Sequence, residues 1–347
     1  AKAHPAHPGT SELVARLVQQ AVRESGAPPG LFSLLFDAGY EVGAALVKHP
    51  LIKAVGFTGS RRGGRGLMDL AAARPEPIPV YAEMGSINPV FLLGGALTER
   101  AEEIAASLHG SVTLGVGQFC TNPGLVFVEA GDGAKKFLAK LTSLMAATPP
   151  GTMLTAGLCS NYRAGVEKYS KSPNVKLRAS VNADRGPGQA QAGANLFVTD
   201  AETFLGNHSL MDEVFGPSTL VVGCASRAQL LAAAKQIEGQ LTTSLHATPA
   251  ELASSHDLIT ILTTKAGRLN FNSFPTGVEV VHAMTHGGPY PATSDGRSTS
   301  VGTRAIERWL RPVSFQNFPD AALPPELQEG NPLKLTRLVD GKLVQPG

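Results

Sequence analysis

Residues 117–124 read Gly117-Gln118-Phe119-Cys120-Thr121-Asn122-Pro123-Gly124. A cysteine here lies in a glycine-rich loop between a predicted helix at 99–114 and a predicted strand at 125–129. Glycine allows the backbone to approach a ligand closely, and a thiolate is a strong nucleophile. We interpret Cys120 as a nucleophile. The alternative is a buried inert thiol, which we favour for Cys159 and Cys224 because they lack such flanking residues.

Helices and strands alternate outward from this loop. Helices are predicted at 10–25, 41–48, from 60 onward and at 99–114, and strands at 31–36, 53–57, 78–83, 89–93, 125–129, 196–199, 219–222, 242–245 and 267–271. Residues 181–194 and 286–300 are predicted loops, and the proline-rich residues 319–332 an extended tail. Such alternation predicts an α/β fold with a largely parallel sheet, in two α/β units.

The composition excludes several classes of protein. The 347 residues are 43% hydrophobic, which is enough for a sizeable core. The 30 basic and 28 acidic residues give a net charge of +2, which argues against a basic surface for binding nucleic acid or an anionic membrane. The absence of a long apolar run and of a signal peptide predicts a soluble, cytoplasmic protein. Three cysteines without a CxxC pair argue against a disulfide framework and a zinc site, so we predict no metal.

Two further strand ends carry chemistry. The sequence Tyr81-Ala82-Glu83-Met84-Gly85-Ser86 ends a predicted strand with a carboxylate that can take a proton from water, although a surface glutamate is the alternative. The sequence Phe57-Thr58-Gly59-Ser60 leads from a strand into a helix, where free amides attract phosphate. An ordinary capped helix start is the alternative there.

These motifs, with Glu213-Val214-Phe215-Gly216-Pro217, resemble the aldehyde dehydrogenase superfamily over nearly the whole chain. The resemblance implies a partial Rossmann-type cofactor domain at 1–84 and an α/β catalytic domain at 85–290. It further implies that residues 291–347 return to the cofactor domain and the oligomerisation sheet, with a strand at 313–318. We therefore expect a homodimer or homotetramer that acts on a small aldehyde and binds neither nucleic acid nor membrane.

The resemblance also assigns roles. Cys120 would form the acyl-enzyme through a thiohemiacetal, and Glu83 would be the base for hydrolysis of the thioester. The implied cofactor-binding residues are Lys2 at the adenine ribose, Thr58, Gly59 and Ser60 at the pyrophosphate, Met84 and Gly85 at the nicotinamide end, Glu213 at the ribose and Phe215 beside the ring. His282 and His286 flank a predicted active-site loop, where a substrate contact is the less favoured interpretation and an ordinary surface or core histidine is the more common one.

The cofactor is expected to be NADP rather than NAD. Relatives that prefer NAD carry a glutamate three residues after the lysine that matches Lys2, where this chain has Pro5. Arg61 and Arg62 follow the phosphate turn and would pair with a 2′-phosphate. The alternative is two solvated arginines, in a position that the helix dipole disfavours for cations.

Residues 274–279 and 286–291, Phe-Pro-Thr-Gly-Val-Glu and His-Gly-Gly-Pro-Tyr-Pro, resemble the branch that acts on 2-oxoglutarate semialdehyde. That branch includes NADP-linked fatty aldehyde dehydrogenases, which are the alternative. Arg297 is the residue we suggest for the distal carboxylate of the substrate.

Three alternatives stay open. The segment with the family's oxyanion asparagine has no match here, so we expect it to precede residue 1, and a catalytically incomplete fragment is one alternative. A cysteine hydrolase would need a histidine partner for Cys120, which no motif identifies. A dehydrogenase that acylates coenzyme A would have no need of Glu83.

Overall fold

The computed structural model describes residues 1–183 and 190–346, so residues 184–189 of the predicted loop at 181–194 lie outside it. The chain divides into two compact units, Ala1–Arg308 and Trp309–Gly347. The three-part functional division at residues 84 and 290 stays a prediction.

Helices and strands alternate through the first unit. The helices are α1 (Pro8–Glu24), α2 (Glu41–Lys48), α3 (Arg61–Ala72), α4 (Gly94–Thr113), α5 (Asp132–Ala146), α6 (Ala156–Lys171), α7 (Ala201–Gly206), α8 (Arg227–Gln236), α9 (Pro249–Ala253) and α10 (His256–Thr263). The strands are β1 (Val55–Thr58), β2 (Val80–Glu83), β3 (Val90–Leu92), β4 (Leu125–Glu129), β5 (Gly151–Thr152), β6 (Lys176–Ser180), β7 (Gln191–Ala192), β8 (Asn195–Asp200), β9 (Ser218–Cys224), β10 (Gln240–His246) and β11 (Ala266–Phe271).

A seven-stranded sheet forms the centre of this unit, in the order β11-β10-β3-β4-β9-β8-β6. Every neighbouring pair is parallel except β6 and β8. Alternate residues of a strand face opposite sides. Phe127 therefore packs with the layer of α7, α8 and α10, and its neighbour Val126 packs under α4 and α5. Helices cover both faces of a largely parallel sheet, which confirms the predicted α/β fold.

A smaller parallel pair, β1 and β2, precedes the large sheet and is accompanied by α1, α2 and α3. The Ser60 hydroxyl caps α3 by accepting a hydrogen bond from the Gly63 amide at 3.2 Å. The buried Arg74 guanidinium donates to the Val47 and Ile52 carbonyls, both at 3.0 Å. Hydrogen bonds from individual polar side chains therefore hold the turns of this region together.

One predicted strand is wrong. Residues 31–36 form no strand, because the only pairing of Leu35 within the described residues is a bridge to Lys2, and Leu31 and Phe36 are exposed. An apolar run becomes a strand only when a neighbour completes its ladder. The strand expected at 313–318 belongs to a sheet between subunits, so it stays a prediction. The second unit contains an antiparallel hairpin of β12 (Arg337–Val339) and β13 (Lys342–Val344).

Across residues 1–183 and 190–346, no helix combines the length and the apolar character that a membrane crossing requires.

Candidate active site

Glu83 is the last residue of β2, and both sides of its backbone are held. Its β1 partner is Thr58, and on the other edge it forms a bridge with Thr293. The next amide, of Met84, donates to the Ala292 carbonyl at 2.7 Å. A distant segment therefore fixes the direction in which the Glu83 side chain leaves the sheet.

The loop that carries Cys120 packs directly against the segment that contains Glu213 and Phe215. Gly117 adopts φ +67°, and a Cβ there would lie 2.3 Å from the Gly216 carbonyl carbon. The side-chain Nδ2 of Asn122 donates to the Gly216 carbonyl oxygen at 3.0 Å. Only glycine meets both the left-handed backbone and the close approach. Two motifs separated by about ninety residues are therefore joined here.

The Asn88 side chain anchors the loop that carries Cys120. It is fully buried, and its Nδ2 donates to the carbonyls of Cys120 and Asn122, both at 2.9 Å. Gln240 Oε1 in turn accepts the Asn88 amide at 3.1 Å and the Ser86 hydroxyl at 3.0 Å. The Ser86 side chain therefore belongs to the network that anchors the loop of Cys120.

His286 stands between the two predicted catalytic groups. Its Nε2 lies 3.3 Å from Cys120 Sγ and 3.2 Å from Glu83 Oε1. The Ser300 hydroxyl donates to the other carboxylate oxygen of Glu83 at 2.8 Å, and the His286 amide donates to Thr299 Oγ1 at 2.8 Å. Glu83 and His286 are buried, whereas Cys120 is half-buried and accessible from solvent.

The charges in this cluster support one another. Burial alone would raise the pKa of Glu83, but the hydrogen bond and charge of His286, with Ser300 and Cys120, lower it below its ordinary value. Burial alone would lower the pKa of His286, yet the contacts with Cys120 and Glu83 raise it to about 9. The carboxylate is therefore anionic near neutral pH and attracts positive charge onto the imidazole.

The structure brings several predicted cofactor-binding residues into one row. The Gly59 amide donates to the Glu83 carbonyl at 3.0 Å, which places Thr58, Gly59 and Ser60 beside the end of β2. A Cβ on Gly85 would lie 2.9 Å from Glu213 Oε2, so this carboxylate rests against the Met84–Gly85 backbone. At the start of α3, no acceptor within the described part of the chain holds the backbone N–H of Arg61 or Arg62.

Other predicted residues are engaged elsewhere. Lys2 Nζ donates to the Gly39 carbonyl at 3.2 Å, and Arg61 forms an ion pair with Glu238 at 2.8 Å and lies over the Tyr290 ring. Arg297 pairs with Asp295, and 93% of its side chain is exposed. These contacts leave the role of Lys2 a prediction and remove the support for Arg297 as a substrate contact.

Arg268 on β11 is a charge that the sequence did not single out. Its two terminal nitrogens donate to the Pro275 and Gly277 carbonyls at 2.7 and 3.2 Å, and its Nε is buried without a partner among the described residues. Burial lowers the pKa of Arg268, and the charge of Cys120 opposes that effect. Arg268 is therefore a half-buried cation close enough to Cys120 for the charges of the two side chains to interact.

Sequence reasoning missed the contact of His286 with both catalytic groups, and it missed Asn88, Ser300 and Gln240 altogether. The positions of His286 and Cys120 differ by 166 residues, and those of His286 and Glu83 by 203. Only the position of His286 in a glycine-rich loop hinted at a site.

The comparisons with known proteins agree on the family. The model of the aldehyde dehydrogenase family matches residues 1–311. The chain is 49% identical over 346 residues to alpha-ketoglutaric semialdehyde dehydrogenase 2 of Azospirillum brasilense, with 98% of this chain and 65% of that protein covered. It is 46% identical over 345 residues to alpha-ketoglutaric semialdehyde dehydrogenase of Acinetobacter baylyi, with 99% and 65% covered.

Solved structures show the same fold. Proline utilization A of Bradyrhizobium japonicum superimposes with a TM-score of 0.73 at 22% identity, over 89% of this chain and 30% of that one. The gamma-glutamyl-gamma-aminobutyraldehyde dehydrogenase of Burkholderia cenocepacia gives 0.70 at 22% identity, over 85% and 58%. The chain spans slightly less than two thirds of the curated relatives' length. Matched over residues 1–311 by the family model, the chain belongs to the aldehyde dehydrogenase family.

Proposed function

We propose that this chain oxidises an aldehyde to a carboxylic acid, with 2-oxoglutarate semialdehyde as substrate and NADP as cofactor. The observation that carries the proposal is the contact of one histidine nitrogen with both the Cys120 thiol and the Glu83 carboxylate. The relatives that are named for this substrate match nearly the whole chain, and they support 2-oxoglutarate semialdehyde as the proposed substrate.

The first half of the reaction begins at Cys120. The Cys120 thiol loses its proton to solvent and Sγ attacks the aldehyde carbon as a thiolate, while the positive charge on His286 Nε2, 3.3 Å away, stabilises the anion. The aldehyde oxygen becomes an oxyanion, for which the Cys120 backbone N–H is a donor, since no described residue accepts from it. A nicotinamide cofactor, when bound, would supply the acceptor for the hydride that leaves the thiohemiacetal carbon.

Glu83 acts in the second half. The thioester on Cys120 is attacked by water whose proton passes to Glu83 Oε1, and the carbon–sulfur bond breaks to release the acid and the thiolate. Ser300 holds Oε2, so only Oε1 is directed toward the nucleophile. His286 Nε2 also contacts Glu83 Oε1 and lowers the pKa of Glu83, so the carboxylate stays ionised and can accept the proton from water.

The cofactor fits the row of residues beside the end of β2. Thr58, Gly59 and the free amides at the start of α3 would hold the pyrophosphate, and Glu213 would hold the nicotinamide ribose beside Gly85. NADP is favoured over NAD because no carboxylate follows Lys2 at the expected spacing and because Arg62 is exposed at the start of α3. Arg61 contributes less, since Glu238 already neutralises it.

Two rival reactions fit less well. In a cysteine hydrolase the third group orients the histidine through its second ring nitrogen. Here Nε2 serves both partners, and within the described residues the buried His286 Nδ1 has none. A dehydrogenase that acylates coenzyme A needs no base for water, which leaves Glu83 and Ser300 without a role.

Arg268 is the residue we propose for the distal carboxylate, in place of Arg297. Its Nε donor is unused and its charge already acts on Cys120. A fatty aldehyde, the alternative substrate, has no group for this cation. Replacing Arg268 with Met should therefore raise KM for 2-oxoglutarate semialdehyde and leave KM for an aliphatic aldehyde unchanged.

The whole protein is proposed to be a cytoplasmic homo-oligomer.

The direct test is NADPH formation from 2-oxoglutarate semialdehyde, with Cys120→Ala and Cys159→Ala as a matched pair. We expect loss of turnover only in Cys120→Ala, a drop of about 10²-fold or more in kcat for His286→Gln, and preference for NADP over NAD. Folded chain without turnover, or turnover that survives in Cys120→Ala, would contradict the proposal.

A further inference from the structure

Three side chains that suit a thiophilic metal meet at the proposed active site. Cys120, His286 and Glu83 each offer one ligand atom, and all three atoms lie within 4.8 Å of one another. The Sγ to Nε2 distance is 3.3 Å and the Nε2 to Oε1 distance is 3.2 Å. Around a tetrahedral zinc ion, with bonds of about 2.3 Å to sulfur and about 2.0 Å to nitrogen, ligand atoms stand roughly 3.5 Å apart.

We propose that Cys120, His286 and Glu83 bind one Zn²⁺ ion reversibly, and that this ion inhibits the enzyme. Thiolate, imidazole and carboxylate together favour zinc over magnesium or calcium, which prefer oxygen ligands. Three protein ligands leave the fourth position for water. On binding, the thiol S–H bond and the Nε2–H bond of the protonated His286 break, a Zn–S and a Zn–N bond form, and both protons pass to solvent.

The ligands are held in place before any metal arrives. Ser300 holds one oxygen of Glu83 and leaves Oε1 directed at His286. Thr299 accepts the His286 amide, and Asn88 anchors the carbonyl of Cys120. Since Glu83 and His286 are buried and Cys120 is half-buried, the ion would enter from the side of the thiol.

The surroundings of His286 make zinc binding reversible rather than permanent. A zinc-ligating histidine normally donates its other ring N–H to an acceptor, and this support raises the affinity. His286 Nδ1 is buried and has no such acceptor in the described part of the chain. Binding is therefore weaker than in a dedicated zinc site, and a chelator can remove the ion.

Metal binding does not require turnover, but the inhibition rests on the proposed function. The two can be measured separately on the full chain. Co²⁺ serves as the probe, because a cobalt thiolate gives a charge-transfer band in the near ultraviolet. We expect one equivalent of Co²⁺ to produce the band, Zn²⁺ to displace it, and EDTA to abolish it.

The variants decide which residues bind. We expect Cys120→Ser to lose the band, and His286→Asn and Glu83→Gln to bind at least about tenfold more weakly. His282→Asn is the matched control, because His282 is exposed on the same loop and bonds to Thr303. Unchanged thermal unfolding confirms that each variant is folded.

Absence of the band in wild type, or unchanged affinity in both His286→Asn and Glu83→Gln, would overturn the site. In the activity assay, Zn²⁺ should stop NADPH formation and EDTA should restore it in full. A wild-type chain that gives the band but oxidises no aldehyde would refute the proposed function alone. Full activity with zinc bound would refute the inhibition.

Discussion

The seven-stranded sheet and the β1–β2 pair are stabilised in different ways. At the large sheet, the fully buried rings of Phe91 and Phe127 stack at a centroid distance of 4.9 Å, and Phe204 of α7 packs edge to face on Phe127 at 5.0 Å. Beside the small pair, α1 buries Ala15 but leaves Leu17 58% exposed. Apolar packing therefore stabilises the part that holds the nucleophile, while capping and Arg74 hydrogen bonds organise the part that would bind phosphate.

Core truncation should separate the two regions most strongly. We expect Phe127→Ala to lower the free energy of unfolding by about 3 to 5 kcal/mol, because it removes a ring packed on both sides. Leu17→Ala, in exposed α1, should change it by less than about 0.5 kcal/mol. Urea unfolding monitored by circular dichroism measures both, and equal losses would refute the difference between the regions.

The large sheet has a polar weak point at His246 on β10. Burial, and then the charge of Arg100, lower the pKa of His246 to about 4, below its ordinary 6.5. As pH falls below 6.5 the unfolded chain takes up the proton first, so stability is lost between pH 6.5 and 4 and levels off below that. We expect His246 to account for a loss of roughly 3 kcal/mol.

Urea midpoints measured at pH 7 and pH 4.5 test this, with His246→Gln as the variant that cannot take the proton. His49→Gln is the control, because His49 is exposed. Wild type and His49→Gln should lose more stability than His246→Gln over this range. The same pH dependence in all three would rule out His246 as the cause.

Arg74 should be the main support of the smaller region. Replacing it with Ala leaves the Val47, Pro50 and Ile52 carbonyls without their donor, at a cost of about 2 kcal/mol. Hydrogen exchange should show faster opening around residues 41–58, with protection of the seven-stranded sheet unchanged. Arg62→Ala, on the exposed side of α3, is the control, and faster exchange throughout the large sheet would contradict a local role.

The smallest effect concerns the cap of α3. Ser60→Ala removes the hydroxyl that accepts the Gly63 amide and should cost about 1 kcal/mol, whereas Ser60→Gly should cost only a few tenths. Thermal unfolding resolves the two. Equal losses in both variants would mean that the hydroxyl does not stabilise the helix.

The sequence predicted six of the seven strands of the large sheet, in most cases from a short apolar run bounded by turn residues, as at Leu125–Glu129. It missed the edge strand Lys176–Ser180, because only one residue of that strand is buried. It failed at residues 31–36, where the same kind of run meets only a single bridge from Lys2. Local motifs singled out Cys120 and Glu83 as candidate catalytic residues, and the structure brings both into contact with His286. They could not identify the role of His286, because tertiary packing alone brings it to those residues.

The arginines show the same limit. Arg61 follows the phosphate turn as expected, but Glu238 pairs with it from a distant part of the chain. Arg297 lies in the predicted loop yet points its charge at Asp295 and solvent. The spacing of charges along a sequence does not say which opposite charge the fold brings to each of them.

The division of labour between Cys120 and Glu83 is tested most directly by rapid mixing of chain, NADP and 2-oxoglutarate semialdehyde, with NADPH followed from the first turnover. For Glu83→Gln we expect a burst of one NADPH per chain followed by turnover about 10² to 10⁴ times slower than wild type, because the thioester forms but is not hydrolysed. Cys120→Ala should give no burst. A Glu83→Gln chain with wild-type steady-state turnover, or with no burst although Cys120 is intact, would contradict the assigned roles.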